Sequence, residues 1–161
     1  MAREIKTNVM RILEREHIPY DRRFYTVEDD SFDGHLVAEK TGLDPSMVYK
    51  TLVLTDDRLG HLVCVIPVER ELDLKKCARA GGHRSVSMLP LKDLLPLTGY
   101  VRGGCSPVGM KKPFPTFLDR SAQDLPTLSV SAGARGCQIL LSPPDLIRLC
   151  HGVYADLVRD E

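Results

Sequence analysis

Apolar positions along this chain repeat with two different periods. Near the N-terminus Ile5, Val9, Ile12 and Leu13 fall three and four apart, which predicts an amphipathic helix ending near "HIPY" (17–20). A short strand is expected through "YDRRFYT" (20–26), followed by the acidic, turn-rich "EDDSFDG" (28–34). "HLVAEKTGL" (35–43) reads as a helix closed by Gly42, and Asp44 with Pro45 has the residue types of an N-cap and a first helical position. The period then changes. "VYKTLVLT" (48–55) and "HLVCVIPV" (61–68) are β-branched apolar runs separated by "DDRLG", the mark of a hairpin. "DLKKCARAGG" (73–82) predicts a helix capped by Asp73 and stopped at Gly81 and Gly82. "SVSML" (85–89) is a short strand and "LKDLL" (91–95) a helix of one or two turns. Three more strands are expected in "FPTFLD" (114–119), "TLSVSAG" (127–133) and "CQILLS" (137–142). A helix over "PPDLIRLCHG" (143–152), begun by Ser142 or Pro143, and a short strand in "VYADLV" (153–158) complete the chain. The irregular alternation argues for a mixed sheet with helices packed around it rather than a doubly wound fold.

Composition narrows the picture. At 161 residues one domain over residues 1–161 is expected, long enough to bury roughly 70% of its surface. The 22 Lys and Arg balance the 22 Asp and Glu, so any polyanion must be met by a local patch rather than a global field. No apolar run approaches the roughly 18 residues of a membrane span, and the charged N-terminus lacks a signal-peptide core. A cytoplasmic protein is expected. Cys64, Cys77, Cys105, Cys137 and Cys150 form no C-x-x-C pair and no zinc-site spacing, and the five histidines are scattered. No metal and no cofactor are expected, and the thiols are read as reduced.

The densest chemistry lies in "VRGGCSPVGMKKP" (101–113), with three glycines and three cations but no acid. Gly104 and Gly109 have P-loop spacing, but Lys111 comes one place late and Pro113 and Pro115 forbid the following helix. What remains are ingredients for binding an anion or oxyanion through backbone N–H groups, with Arg102, Lys111 and Lys112 nearby. The competing reading is a tight turn with a solvated basic face. Cys105 has no visible activating partner and reads as a small apolar filler. Lys50 stands in an apolar strand and shares a face with Val48 and Leu52. It is either a charge held where burial is expensive, which signals function, or an edge-strand lysine that blocks aggregation.

Four separated stretches, "VYKTLVL" (48–54), "ELDLKKCARA" (71–80), "TGYVRGGCSPVGMKKPFPTFLD" (98–119) and "VSAGARG" (130–136), occur in the order found in a known family. The chain resembles the YbaK family of aminoacyl-tRNA deacylases, relatives of the editing domain of bacterial prolyl-tRNA synthetases. Within that family it is most similar to the free-standing Cys-tRNA(Pro) deacylases. The resemblance implies a mixed α/β fold, with a curved, partly barrel-like mixed sheet flanked by helices. It implies hydrolysis of the ester that joins cysteine to the 3′ end of mischarged tRNA(Pro), with prolyl-tRNA synthetase as a partner. It makes Lys50 the dominant residue, with Gly103 and Gly104 lining the reaction site and their amides facing the ester carbonyl. Tyr25, Phe32, Thr51, Ser131, Arg135 and Gln138 are the expected substrate contacts, and Arg102, Lys111 and Lys112 would meet tRNA. Lys75, Lys76, Arg79 and Arg84 would extend that basic face. The attacking group is then water or the substrate's own thiol, which would give a thiolactone. One departure bears on substrate choice: some free-standing deacylases carry an acid two places after the "RG", where this chain has Gln138. A deacylase for another small amino acid such as alanine, or a module that binds the tRNA end or a synthetase without turnover, are the alternatives this leaves open.

Overall fold

The computed structural model of this protein describes residues 5–27 and 34–160. Thr7 starts helix α1 (Asn8–Arg15) by accepting a hydrogen bond from Met10 N at 3.2 Å. Val9, Met10 and Leu13 form its buried face, whereas Ile5 precedes the cap and is exposed. The predicted helix is therefore present but begins later, because the capping side chain sets its start. Strand β1 (Asp21–Phe24) follows, then α2 (Gly34–Thr41), which Gly42 ends at φ 75°. Asp44 caps a short 3-10 turn (Pro45–Met47).

Strands β2 (Tyr49–Asp56) and β3 (His61–Pro67) form the predicted hairpin. Its turn is held by Asp56, whose Oδ1 accepts from Arg58 N and Gly60 N at 2.7 and 2.9 Å. Helix α3 (Leu74–Gly81) is capped by Asp73 and closed by Gly82 at φ 73°. Strand β4 (Val86–Met88), helix α4 (Leu94–Thr98), β5 (Thr116–Asp119), β6 (Leu128–Ser131), β7 (Cys137–Leu141), α5 (Pro143–Cys150) and β8 (Val153–Ala155) complete the order.

Two sheets result. One is antiparallel in the order β1-β7-β6; the other, β4-β2-β3-β5-β8, is antiparallel around β2 and parallel at β3/β5 and β5/β8. They meet at a parallel bridge between Val48 and Ser129 and do not close into a barrel. The mixed α/β expectation holds, and the curvature it carried stops short of closure. The larger core lies on the face of β2 that carries Tyr49 and Val53, packed with α1, β6 and β7. The opposite face, Leu54, Leu62, Cys64 and Ile66, packs with Cys77 of α3. Burial on both faces is why β2 and β3 read as near-continuous apolar runs rather than alternating ones. Among the described residues no helix is long and apolar enough to cross a membrane.

Candidate functional site

Strand β2 is paired along one edge only for much of its length. β3 covers Tyr49 to Thr55, but on the other side β4 pairs with residues 54–56 and β6 touches Val48. Val53 O, on that second side, accepts from Leu89 N at 3.1 Å. Backbone groups of an antiparallel strand alternate between its two neighbours, so Thr51 turns its N–H and C=O toward the same open edge.

A cavity of about 420 Å³ occupies the gap, within the size range that encloses a small organic ligand. Lys50, Thr51 and Leu52 line it from β2, and Arg102, Gly103 and Cys105 from the glycine loop. Ser131 and Gln138 close it from the smaller sheet, while Val37, Met88 and Leu89 give it an apolar wall. Lys50 is half-buried, and among the described residues its ammonium group has no hydrogen-bonding or ion-pair partner. Thr51 Oγ1 is fully buried without a hydrogen bond to any described residue. A hydroxyl in that condition costs about 1–3 kcal/mol, which marks a position suited to a ligand atom. Ser131 Oγ accepts from Gly133 N at 3.1 Å, which leaves its own proton free to donate.

The glycine loop is a closed structure. Lys111 N donates to Thr98 O at 3.1 Å, tying its two ends, and the Tyr100 hydroxyl donates to Val108 O across it. Val108 and Ser106 are buried inside, as befits an Ω-loop packed by its own side chains. Gly103 sits at φ 85°, exposed at the cavity, and its N–H is uncommitted among the described residues. Gly104 differs. Its N–H donates to Val101 O at 3.0 Å, so the expected pair of oxyanion-binding amides reduces to Gly103. Gly104 instead permits close approach: a Cβ there would lie 3.1 Å from Arg135 N. Cys105 lines the wall, but burial pushes its thiol up to about 12. It is a protonated thiol, not a nucleophile poised for attack.

Other expected residues lie elsewhere. Tyr25 N donates to Gly136 O at 2.9 Å, which places Tyr25 beside the turn that carries Arg135, and neither residue lines the cavity. Phe32 lies outside the described residues. Lys111 and Lys112 are exposed and outside the cavity lining, with Lys111 Nζ 3.5 Å from Pro96 O in the middle of α4. Lys76 leaves the expected basic face altogether: its Nζ lies 2.8 Å from Val158 O, 2.8 Å from Asp160 and 3.1 Å from Asp156. The apolar wall from β4 and the start of α4 was not anticipated, since "SVSML" and "LKDLL" look like ordinary packing segments. Ser129 was also missed. Its signal was present in "LSVS", where two serines two places apart share one face of an apolar strand.

Residues 34–149 match the aminoacyl-tRNA editing domain family. The chain is 46% identical over 156 residues to the candidate Cys-tRNA(Pro)/Cys-tRNA(Cys) deacylase EbsC of Enterococcus faecalis, covering 97% of this chain and 95% of that protein. Its fold is shared by the crystal structure of a candidate trans-editing enzyme for prolyl-tRNA synthetase, at 22% identity and TM-score 0.80, covering 97% of this chain and all of the other. A scaffold protein used for grafting linear epitopes is also similar, at 25% identity and TM-score 0.79, with 95% and 96% covered. With the editing-domain match spanning most of its length, and with a cavity that gathers Lys50, Thr51 and the glycine loop, this chain belongs to the aminoacyl-tRNA editing domain family.

Proposed function

We propose that this protein is a trans-editing deacylase that removes cysteine from mischarged tRNA(Pro) in the cytoplasm. The observation that carries the reading is the gathering of Lys50, Thr51, Gly103 and Ser131 around one cavity, in a chain similar end to end to a protein named for Cys-tRNA(Pro) and Cys-tRNA(Cys). Lys50 is assigned to the oxygens of the terminal ribose or its phosphate. Gly103 N–H is assigned to the ester carbonyl, with the buried Thr51 hydroxyl, which lines the same cavity, as a second donor. An aminoacyl ester is already activated, so positioning and one or two oxyanion donors, each worth on the order of 10²–10³ in rate, meet most of what the reaction needs.

Among the described residues the lining contains no histidine and no carboxylate, and Cys105 is held protonated. That favours attack by the substrate. The cysteinyl sulfur adds to its own ester carbonyl, a C–S bond forms, and the ester C–O bond breaks. The ribose oxygen departs with the proton that the thiol gives up. Water then opens the resulting thiolactone. Prolyl-tRNA synthetase is proposed as the partner that delivers substrate, because a chain of zero net charge holds tRNA only through local contacts.

The test is deacylation of Cys-tRNA(Pro), Cys-tRNA(Cys), Ser-tRNA(Pro), Ala-tRNA(Pro) and Pro-tRNA(Pro), with and without prolyl-tRNA synthetase. Cysteine should be lost much faster than serine or alanine. Lys50→Ala should lower the rate by about 10² or more, and Cys105→Ala should leave it within about twofold. Loss of alanine in preference to cysteine would replace the substrate, and no turnover of any of them would leave a binding module.

A further inference from the structure

The polar residues on the cavity side of the smaller sheet have unequal roles. Leu128 and Val130 of β6 enter the main core, so Ser129 and Ser131 take the opposite face. Gln138 of β7 shares that face, flanked in sequence by the core residues Cys137 and Ile139. Ser129 is fully buried and lies behind the cavity rather than in its lining. Its Oγ donates to Gln138 Oε1 at 2.7 Å. Gln138 is 5% exposed and does line the cavity. A carboxamide has one acceptor end and one end with two donors, and here the acceptor end is taken. The nitrogen has no partner among the described residues, yet it is not a sealed orphan as Thr51 Oγ1 is. It therefore opens onto the cavity.

We infer that Ser129 is a positioning residue that fixes the carboxamide of Gln138 with its NH₂ group presented to the aminoacyl end of the substrate. Gln138 then recognises an acceptor oxygen of the aminoacyl ester, and this wall of the site is built for an acceptor rather than for an ammonium group. The inference rests on the deacylase reading above. The Ser131 hydroxyl, with its proton free beside Gln138, adds a second donor to the same wall.

A double-mutant cycle tests it, with kcat/KM for Cys-tRNA(Pro) measured on the full chain for wild type, Ser129→Ala, Gln138→Ala and the double variant. Gln138→Ala should lose about a hundredfold or more, as for a donor to a developing oxyanion. Ser129→Ala should lose about threefold to tenfold alone and less than about twofold when Gln138 is already alanine, the signature of a residue acting through another. Equal losses in both backgrounds would assign Ser129 to the fold and overturn the inference. Gln138→Glu supplies an arm that keeps Ser129 intact. It preserves the acceptor for Ser129 but has no donor, so it should lose as much as Gln138→Ala. Activity at or above wild type in Gln138→Glu would show that the cavity wants an acceptor there, again overturning it. A wild type inactive on every substrate defeats the deacylase reading and this one together, whereas an active wild type with an additive cycle defeats this one alone.

Discussion

Gly104→Ala is the substitution whose consequence the structure specifies most closely. The new Cβ would stand 3.1 Å from Arg135 N, 3.2 Å from Ala134 C and 3.3 Å from Ala134 Cα, where ordinary contact begins at 3.4 Å. The gap must therefore open by about 0.3 Å, and every obstructing atom is backbone. Neither side yields easily. Gly104 N is bonded to Val101 O inside a loop closed at Thr98 and Lys111. The opposing turn is held by Ala132 N to Cys137 O at 3.1 Å and Tyr25 N to Gly136 O at 2.9 Å. Overpacking of this kind costs about 1–3 kcal/mol, which for a chain of this size lowers Tm by roughly 3–9 °C. The shift also carries Gly103, the preceding residue and the proposed oxyanion donor. Since a misplacement of about 1 Å costs on the order of 10² in rate, a few tenths should cost several-fold to about tenfold in kcat/KM. Thermal melts and deacylation kinetics of the purified variant measure both. If Gly104→Ala melts and reacts like wild type, the loop and the turn are not in rigid contact and this account of the glycine fails.

Two other perturbations separate structural charges from functional ones. The Lys76 hydrogen bond holds the Asp160 carboxyl below its ordinary 3.8, and the same bond raises Lys76 above 10.5. A depressed acid stabilises the fold above its unfolded value and loses that contribution as pH falls through the folded one; a raised lysine loses its contribution as pH climbs past 10.5. The Tm difference between wild type and Lys76→Ala should thus be steady between pH 3.8 and 10.5 and shrink below 3.8; a gap undiminished at pH 3 contradicts the clamp. For tRNA binding, Arg102→Ala should flatten the dependence of log K on log salt concentration by about 0.7, the value for one phosphate contact on a single strand. Lys76→Ala should not change that slope, because two carboxylates already neutralise the amine; equal slopes for wild type and Arg102→Ala would remove Arg102 from the tRNA contact.

Local chemistry explains which parts of this molecule were readable from its residues. The caps at Asp44, Asp73 and Ser142 and the stops at Gly42 and Gly82 are short-range devices, and each lies where the residue type placed it. The hairpin was equally legible, since one side chain, Asp56, organises its turn. What stayed hidden depends on contacts distant along the chain. That Gly104 spends its N–H on Val101 follows from the path of a whole loop, and that Lys76 faces Asp156 and Asp160 follows from where the C-terminal segment returns. Both residues looked available because a sequence shows a group's chemistry without its partner.

The two readings of Lys50 that its sequence allowed are reconciled by the edge on which it sits. An unpaired strand edge exposes backbone donors and acceptors to any passing chain, and residues 49–52 of β2 are such an edge. Here, however, the edge is flanked by the glycine loop, β4 and the start of α4, and its open backbone groups face a cleft lined by those elements rather than a bare sheet edge. A lysine placed to repel another strand would have nothing to repel. Its ammonium group lies on a lining shared with Val37, Val48 and Leu52 and has no partner among the described residues, an unmatched charge that packing does not offset. An anion entering the cavity offsets it, and the terminal phosphate of the proposed tRNA substrate has that chemistry. The same gap in pairing that would have been a liability leaves Thr51 with backbone groups that no described strand pairs, facing the cavity, so the cavity is made from what the sheet leaves unfinished.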